Sequence, residues 1–487
     1  MEHLLIGDVF ANAARATAGR TAAVLGDRRI TFGELDRRAD LLAHAFHDLG
    51  VRHGDRVACW SGTDLGLVVL FAALARTGAA FVPVPGNLGP AEAAAFAAAF
   101  RPALVVVTTE PMRHAIDVLP LSAGAPVVTL RSLLDGASGA AHGFHPDRAV
   151  SETDPHVIFA SSGTTGRPKG IVLSHRVSFL RSHPGSQLEP RGTAVCTFPL
   201  FHMAAWTIAL QQWQARDTVV FLARADGPAI RHALSRHRAT RLYCVPAVWQ
   251  RVLDGDHAAL SGLRFADTGT SAVTAELLHA IRTAAPQAYL RVFYGSTEAG
   301  NIACLGGDEL LAHPGSVGLP ATSVRLRVDA AGEIQVRGPL LFDGYFGDPT
   351  ATASAFADGW YRTGDLGELD RAGQLAIVGR TGEHIRTGGE AVSPSEVEQA
   401  LSTHPAVADV AVVGLPDPAW GELVCCVIVP SRRGSPPALD ELRRHLRGRL
   451  ATHKHPRRIH IVDALPRTPA TGQLRRDLIR AMAPDLT

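Results

Sequence analysis

Lysine is nearly absent from this chain: of 48 basic residues, only Lys169 and Lys454 are lysines. An arginine bias of this kind follows genome composition and carries no functional message by itself, but it makes each lysine conspicuous. Cysteine is scarce too. The six residues Cys59, Cys196, Cys244, Cys304, Cys425 and Cys426 form no CxxC pair and no spacing that a zinc site requires, which excludes a zinc-stapled fold. Cys425 and Cys426 lie in GELVCCVIVP, an apolar run that reads as a buried strand; reduced, buried thiols fit a cytoplasmic protein. Acidic residues number 46 and the net charge is +2, so no cationic excess points to nucleic acid or an anionic membrane. The longest apolar runs, residues 65–75 and 93–100, are too short to span a bilayer. The opening MEHLLIGDVF has no basic segment leading into an apolar stretch and a cleavage site, so no signal peptide is expected. These absences lead to the expectation of a soluble cytoplasmic protein without nucleic-acid or membrane partners.

The 487 residues amount to about three domains at roughly 150 residues each. With 46% hydrophobic and 19% charged residues, the chain has the composition of a folded globular protein. Apolar residues recurring at three and four predict helices over 31–49, 64–77, 90–100 and 274–284. Short apolar runs at 56–60, 80–84, 103–107, 218–222 and 290–294 read as buried parallel strands. This alternation predicts α/β sheets covered by helices on both faces. Residues 137–147 and 189–193 read as loops. After about residue 319, VRLRVDAAGEIQVRG and LGELDRAGQLAIVGR predict antiparallel hairpins, a β-rich subdomain. From Pro394 a helix–strand–strand–helix pattern follows, ending in a basic helix near Arg475. The expected organisation is a large α/β domain over 1–380 and a small, mobile α+β lid over 381–487.

Chemistry concentrates in VIFASSGTTGRPKG, residues 157–170. An apolar strand runs into hydroxyl residues, glycines and a lysine. Glycine lets backbone N–H groups approach a ligand, hydroxyls donate hydrogen bonds and lysine adds charge, a combination suited to phosphate. It is not a Walker A loop, because Pro168 precedes Lys169 and no Ser or Thr follows it. The competing reading is an ordinary surface turn. In YGSTE, residues 294–298, an aromatic face, a hydroxyl and a carboxylate lie within five positions.

SSGTTGRPKG resembles the phosphate loop of the adenylate-forming (AMP-binding) superfamily, which contains acyl- and aryl-CoA synthetases, peptide-synthetase adenylation domains and luciferases. The likeness continues in order through ITFGELDRRA, ALARTGAAFVPV, FPLFHMAAW, VFYGSTEAG, GWYRTGDLG, LAIVGR, IRTGGEAVSPSEVE and LPRTPATGQLRR. The resemblance implies an ATP- and Mg²⁺-dependent ligase that turns an acid into its AMP ester, releases pyrophosphate and passes the product to an acceptor such as CoA. Ser161, Ser162, Gly163, Thr164, Thr165 and Gly166 would cradle the phosphates, with Lys169 neutralising the departing β/γ charge. Tyr294 and Gly295 would bind adenine, Thr297 would reach the α-phosphate, and Glu298 with Thr165 would hold Mg²⁺. Asp365 would accept from the ribose hydroxyls, joined by Arg380. His202 has two readings, a residue of the acid or acceptor channel and a packing residue beside an aromatic. The expected acid-pocket walls are Phe198, Phe201, Trp206, Tyr243, Val245, Trp249, Gly269, Thr270 and Ser271. The lid would hinge at residues 380–382, where Gly382 replaces the Asp or Lys usual in relatives. Gly388 and Gly389 would line the CoA channel, beside Arg386 where relatives often carry lysine. The partners implied are a small acid or anion and an acceptor nucleophile; a homodimer is one possible assembly, and the sequence does not fix the oligomeric state.

One departure stands out. The closing motif normally ends in Gly-Lys, and that lysine bridges substrate carboxylate and α-phosphate; here the position is Gln473. Glutamine donates hydrogen bonds but brings no charge, a loss of about 3–4 kcal/mol or roughly 10²–10³ in rate. Arg475 and Arg476 are the candidates to replace it. Three readings follow: a ligase for an acyl or aryl carboxylate; a diazotase-like enzyme of secondary metabolism that activates nitrite towards an aryl amine, for which the lysine bridge is dispensable; and a catalytically silenced nucleotide-binding protein.

Overall fold

Helices begin where the sequence supplies a cap. Thr31 Oγ1 accepts from the Glu34 amide (3.2 Å) at the start of the helix Phe32–Asp48. Asp64 accepts from the Gly66 amide (2.7 Å) ahead of Leu65–Thr77, which closes on Gly78 at φ +74°. Thr274 caps Ala275–Ala284 in the same way. The helix Leu65–Thr77 is apolar nearly all round and is accordingly buried nearly all round.

The computed structural model describes residues 4–117, 124–136, 143–161, 168–184, 190–387, 390–432, 434–468 and 473–482. Its strands form three sheets. One runs in the order Gly344–Tyr345, Lys169–Ser174, Pro155–Ser161, Ala80–Pro85, Arg56–Ser61, Leu104–Val107 and Val127–Thr129. Its pairs are parallel from Pro155–Ser161 onward, as the apolar runs predict. The largest sheet has a parallel core of Thr21–Leu25, Val219–Phe221, Ala194–Cys196, Arg241–Tyr243, Phe265–Gly269 and Tyr289–Ser296. It turns antiparallel at Gly300–Gly306 and continues through Ser316–Pro320, Leu375–Arg380, Trp360–Leu369, Glu333–Arg337 and Arg325–Val328. The expected β-rich region is thus the extension of one sheet. The third sheet joins Glu390–Val392, Ile385–Thr387, Gly421–Pro430, Val407–Asp417 and Arg458–Ile461, with the helices Pro394–Ser402 and Leu439–Leu446 contributing to its core. Cys425 and Cys426 are buried in its central strand.

Among the elements not anticipated from the sequence are the amphipathic helix Ile6–Thr17 and the hairpin of Thr21–Leu25 with Arg28–Thr31, which extends the large sheet beyond Val219–Phe221. The expected loop at 137–147 is irregular over 143–147, and 190–193 carries no regular structure; residues 137–142 and 189 lie outside the described residues. No helix among the described residues is long and apolar enough to cross a membrane. The core between the sheets is aromatic: Phe71 stacks on Trp206 with centroids 4.1 Å apart, and Phe81 meets Trp206 edge-on.

Against this core lies an unusual pair of histidines. His156 is fully buried at the start of Pro155–Ser161, neither ring nitrogen finds a partner among the described residues, and its ring sits 4.8 Å from that of His175. Burial pushes His175 down to about 4 and His156 well below the usual imidazole value. The unfolded chain therefore binds more protons than the fold between about pH 4 and 6.5, and stability rises with pH across that window. We expect the unfolding free energy to fall below pH 6.5 by about 1.4 kcal/mol per pH unit for each such group. His156→Phe should remove one group's share of that slope in denaturant titrations at pH 5 to 7.5; an unchanged slope would refute the assignment.

Candidate active site

The phosphate-loop segment is the connection between two antiparallel strands, in which Ser161 pairs with Lys169. Ser161 and Lys169 therefore mark its two ends. Ser162, Gly163, Thr164, Thr165 and Gly166 lie outside the described residues, as do Gly388 and Gly389. Lys169, His202, Tyr294, Gly295, Thr297, Glu298, Asp365, Arg380 and Gln473, drawn from segments 304 positions apart, all line one continuous cleft of about 2940 Å³.

The turn after Tyr289–Ser296 is held by a residue the motifs did not mark. Arg181, at the end of the helix His175–Ser182, donates from Nη1 to the Thr297 carbonyl (2.8 Å) and from Nη2 to the Glu298 carbonyl (2.7 Å). Its Nε and Nη2 also bond the Leu340 carbonyl (2.9 and 2.7 Å). Burial pushes the guanidinium down to about 10. Gly300 must be glycine here: its φ is +69°, and a Cβ would stand 2.9 Å from Arg181 Nε. The staple aims the Glu298 carboxylate into the cleft, where Oε1 accepts from the Tyr345 hydroxyl (3.2 Å). The Lys169 ammonium lies 5.3 Å from the centre of the same Tyr345 ring. Tyr345 thus relates the expected cation and carboxylate, and a lone tyrosine in FDGYFGD carried no signal of that role.

A second knot joins three strands. The Tyr294 hydroxyl donates to Asp365 Oδ2 (2.7 Å), and Arg380 Nε pairs with Asp365 Oδ1 (2.8 Å). Asp365 and Arg380 face each other in register on neighbouring strands. Burial raises the carboxyl of Asp365 despite these two partners, and it raises the Tyr294 phenol as well. Arg380 ends its strand, and Gly382 follows at φ +81° with open space around it.

His202 caps the helix Met203–Gln214, its Nδ1 accepting from the Ala204 amide (3.2 Å). The ring stacks on Phe198 with centroids 5.6 Å apart, and burial holds it neutral at about 4. It both packs and lines the cleft. Of the expected pocket walls, Phe201, Tyr243, Val245, Thr270 and Ser271 line the cleft. Trp206 and Trp249 do not. Each is buried in a core with its indole N–H committed, to the Leu200 and Asp267 carbonyls respectively. Phe198 is a buried layer behind His202 and Tyr243, and Gly269 sits too close to the Phe293 carbonyl to present a surface. Thr270 is strained, with φ +67° for a β-branched residue and a buried hydroxyl without a partner among the described residues.

Gln473 reaches across to this strained residue, Nε2 donating to the Thr270 carbonyl at 3.3 Å. Neither expected substitute is free to replace the lysine: Arg475 pairs with Asp477 (2.7 Å) and Arg476 with Glu398 (2.7 Å). Lys454 is held by Glu396 (2.6 Å) and Arg467 by Asp409 (2.7 Å). Every small-domain lysine or arginine that lines the cleft among the described residues is already paired.

Arg181→Met would withdraw the guanidinium from three carbonyls, of which that of Glu298 would still accept from the Phe342 amide (2.7 Å), and loosen the turn that carries Thr297 and Glu298. We expect about 2–4 kcal/mol of lost stability in chemical denaturation, together with a fall in turnover larger than any change in ATP affinity. Wild-type turnover in a folded Arg181→Met protein would remove Arg181 from the site's support.

The AMP-binding enzyme family model matches residues 10–346, and the AMP-binding enzyme C-terminal domain matches 396–471. The chain is 34% identical to a feruloyl-CoA synthase from an Amycolatopsis species over 96% of both chains. It is 32% identical to an indoleacetate–CoA ligase from Aromatoleum aromaticum over 95% of both. Among solved structures, ATP-bound MatB from Rhodopseudomonas palustris superposes with a TM-score of 0.89 at 28% identity, covering 100% of this chain and 99% of that one. The amide bond synthetase McbA from Marinactinospora thermotolerans gives 0.87 at 27% identity, covering 98% and 99%. With its fold, its cleft and both halves of its sequence in agreement, this chain belongs to the AMP-binding enzyme family and is an adenylate-forming ligase.

Proposed function

We propose that the enzyme activates a compact or aromatic carboxylic acid as its AMP ester, releases pyrophosphate, and transfers the acyl group to CoA. The observation that carries this reading is the convergence of Lys169, Glu298 and the Asp365–Arg380 pair on a cleft that continues past Tyr243 and Phe293. The aromatic acids in the names of two similar ligases support an aryl substrate. Catalysis is in-line displacement at the α-phosphate, driven by positioning and charge stabilisation. Lys169 and the segment 161–166 take the β/γ-phosphates, Thr297 the α-phosphate, Tyr294 and Gly295 the adenine, and Asp365 with Arg380 the ribose. His202, neutral and bound at Nδ1, lines the acid's entry.

Glu298 suits Mg²⁺: its carboxylate has no ion-pair partner among the described residues and lines the cleft. No three His, Cys, Asp or Glu side chains there form a complete metal site, which fits an ion held mostly by phosphate and water. Thr165 would be the second protein ligand, and the ion would neutralise phosphate charge. We place the domain boundary at 380/381, with Gly382 absorbing the rotation that moves the small domain between poses.

A second reading rests on Gln473. With every small-domain lysine and arginine that lines the cleft paired among the described residues, the site suits a small oxyanion such as nitrite, activated towards an amino-aryl acid. Pyrophosphate exchange and AMP release separate the two. Carboxylate-dependent exchange across an aryl acid panel, with acyl-CoA formed, is expected for the ligase; AMP formed only with nitrite plus an amino-aryl acid would replace that reading. Gln473→Lys should raise carboxylate adenylation on the order of tenfold or more, measured as exchange rate at saturating ATP. No gain would count against a carboxylate at the α-phosphate.

A further inference from the structure

The cleft does not end at its aromatic walls. Strand residues two apart share a face, and the registers lay out successive rows across three neighbouring strands. Gly269 pairs with Phe293; Tyr243 with Asp267 and Asp267 with Arg291; Arg241 with Phe265. Each row lies about 7 Å from the last. Leading away from the nucleotide residues, the wall therefore passes from aromatic rings to guanidinium groups, and Arg191, Arg241 and Arg291 line the same continuous cleft as Glu298.

Among the described residues, the guanidinium groups there outnumber the carboxylates paired with them. Arg291 is satisfied by a bidentate pair with Asp267 (2.7 and 2.7 Å). Arg241 has no carboxylate among the described residues: Nε donates to the Arg191 carbonyl (2.8 Å), and the guanidinium lies 3.8 Å over the Phe265 ring. Arg191 has only glutamine oxygens for its guanidinium, Gln212 at 3.1 Å and Gln211 at 3.4 Å. Asp217, which accepts from the Arg191 amide (2.6 Å), spends its charge on Arg20. Burial and the neighbouring guanidinium groups push Arg241 down to about 9, and Asp267, already paired with Arg291, opposes only part of that fall. A planar carboxylate matches such forked donors.

We propose that this far end is an anion site, and that the substrate is an aromatic compound carrying a carboxylate remote from the reacting atom, received by Arg241 and Arg191 with Arg291 as the fixed neighbour. The proposal rests on the adenylation reading for the identity of the cleft and adds the class of molecule that fills it. In the nitrite reading the same end would seat the carboxylate of the amino-aryl acid.

The test is calorimetric titration of the full chain, with Mg²⁺ and a non-hydrolysable ATP analogue, using two matched pairs: benzene-1,4-dicarboxylate and 4-carboxycinnamate, each against its monomethyl ester. At least one dianion is expected to bind tenfold or more tighter than its ester, and Arg241→Met to bring that ratio near one. Arg191→Gln serves instead if Arg241→Met does not fold by circular dichroism. Equal affinities within both pairs, no binding of either dianion, or a ratio indifferent to both substitutions would overturn the anion site. AMP release is scored separately. Both members of each pair turned over with equal efficiency leaves the ligase and removes the anion site, whereas dianion-selective binding without AMP from any acid keeps the anion site and removes the ligase.

Discussion

One buried carboxylate organises this wall of the cleft. Asp365 sits where three strands meet, taking the Tyr294 hydroxyl on one oxygen and the Arg380 guanidinium on the other. It thereby couples the strand that delivers Thr297 and Glu298 to the last strand before the small domain. Its burial raises the cost of ionisation, and the two donors offset part of that cost. A group with its charge desolvated and both oxygens engaged is already oriented, so hydroxyls presented by a ligand meet a fixed acceptor and little ordering remains to be done on binding.

Much of this architecture could be read from the sequence because its signals are local. A Thr or Asp before an apolar-periodic stretch marks a helix start, and short β-branched runs mark parallel strands; the helix Ala275–Ala284 and the strand Leu104–Val107 follow those rules closely. Long-range consequences were hidden. Nothing in VRLRVDAAGEIQVRG says that it extends the same sheet as Thr21–Leu25. Arg181 is one arginine among many until the fold brings its guanidinium beneath a turn 116 positions away. The tryptophans misled for a related reason: Trp206 and Trp249 lie near the right segments, but burial of the whole indole and a committed N–H place them in the core.

The arginine-rich composition looks different once the pairs are traced. In the small domain the cations that face the cleft are each neutralised, which leaves Gln473 as an uncharged contact to Thr270. In the large domain, the guanidinium groups of Arg191 and Arg241 have no ion pair among the described residues. Arg191 and Arg241 lie at the far end of the cleft from Gln473.

The strand Leu375–Arg380 is hydrogen-bonded on both sides, to Trp360–Leu369 and to Ser316–Pro320. The second of these pairings runs to Arg380, and two residues on, Gly382 has open space around it. If the small domain turns there as proposed, Gly382 would serve as a crankshaft bearing: a small twist at the backbone would carry Gln473, on the far side of the pivot, through a wide arc.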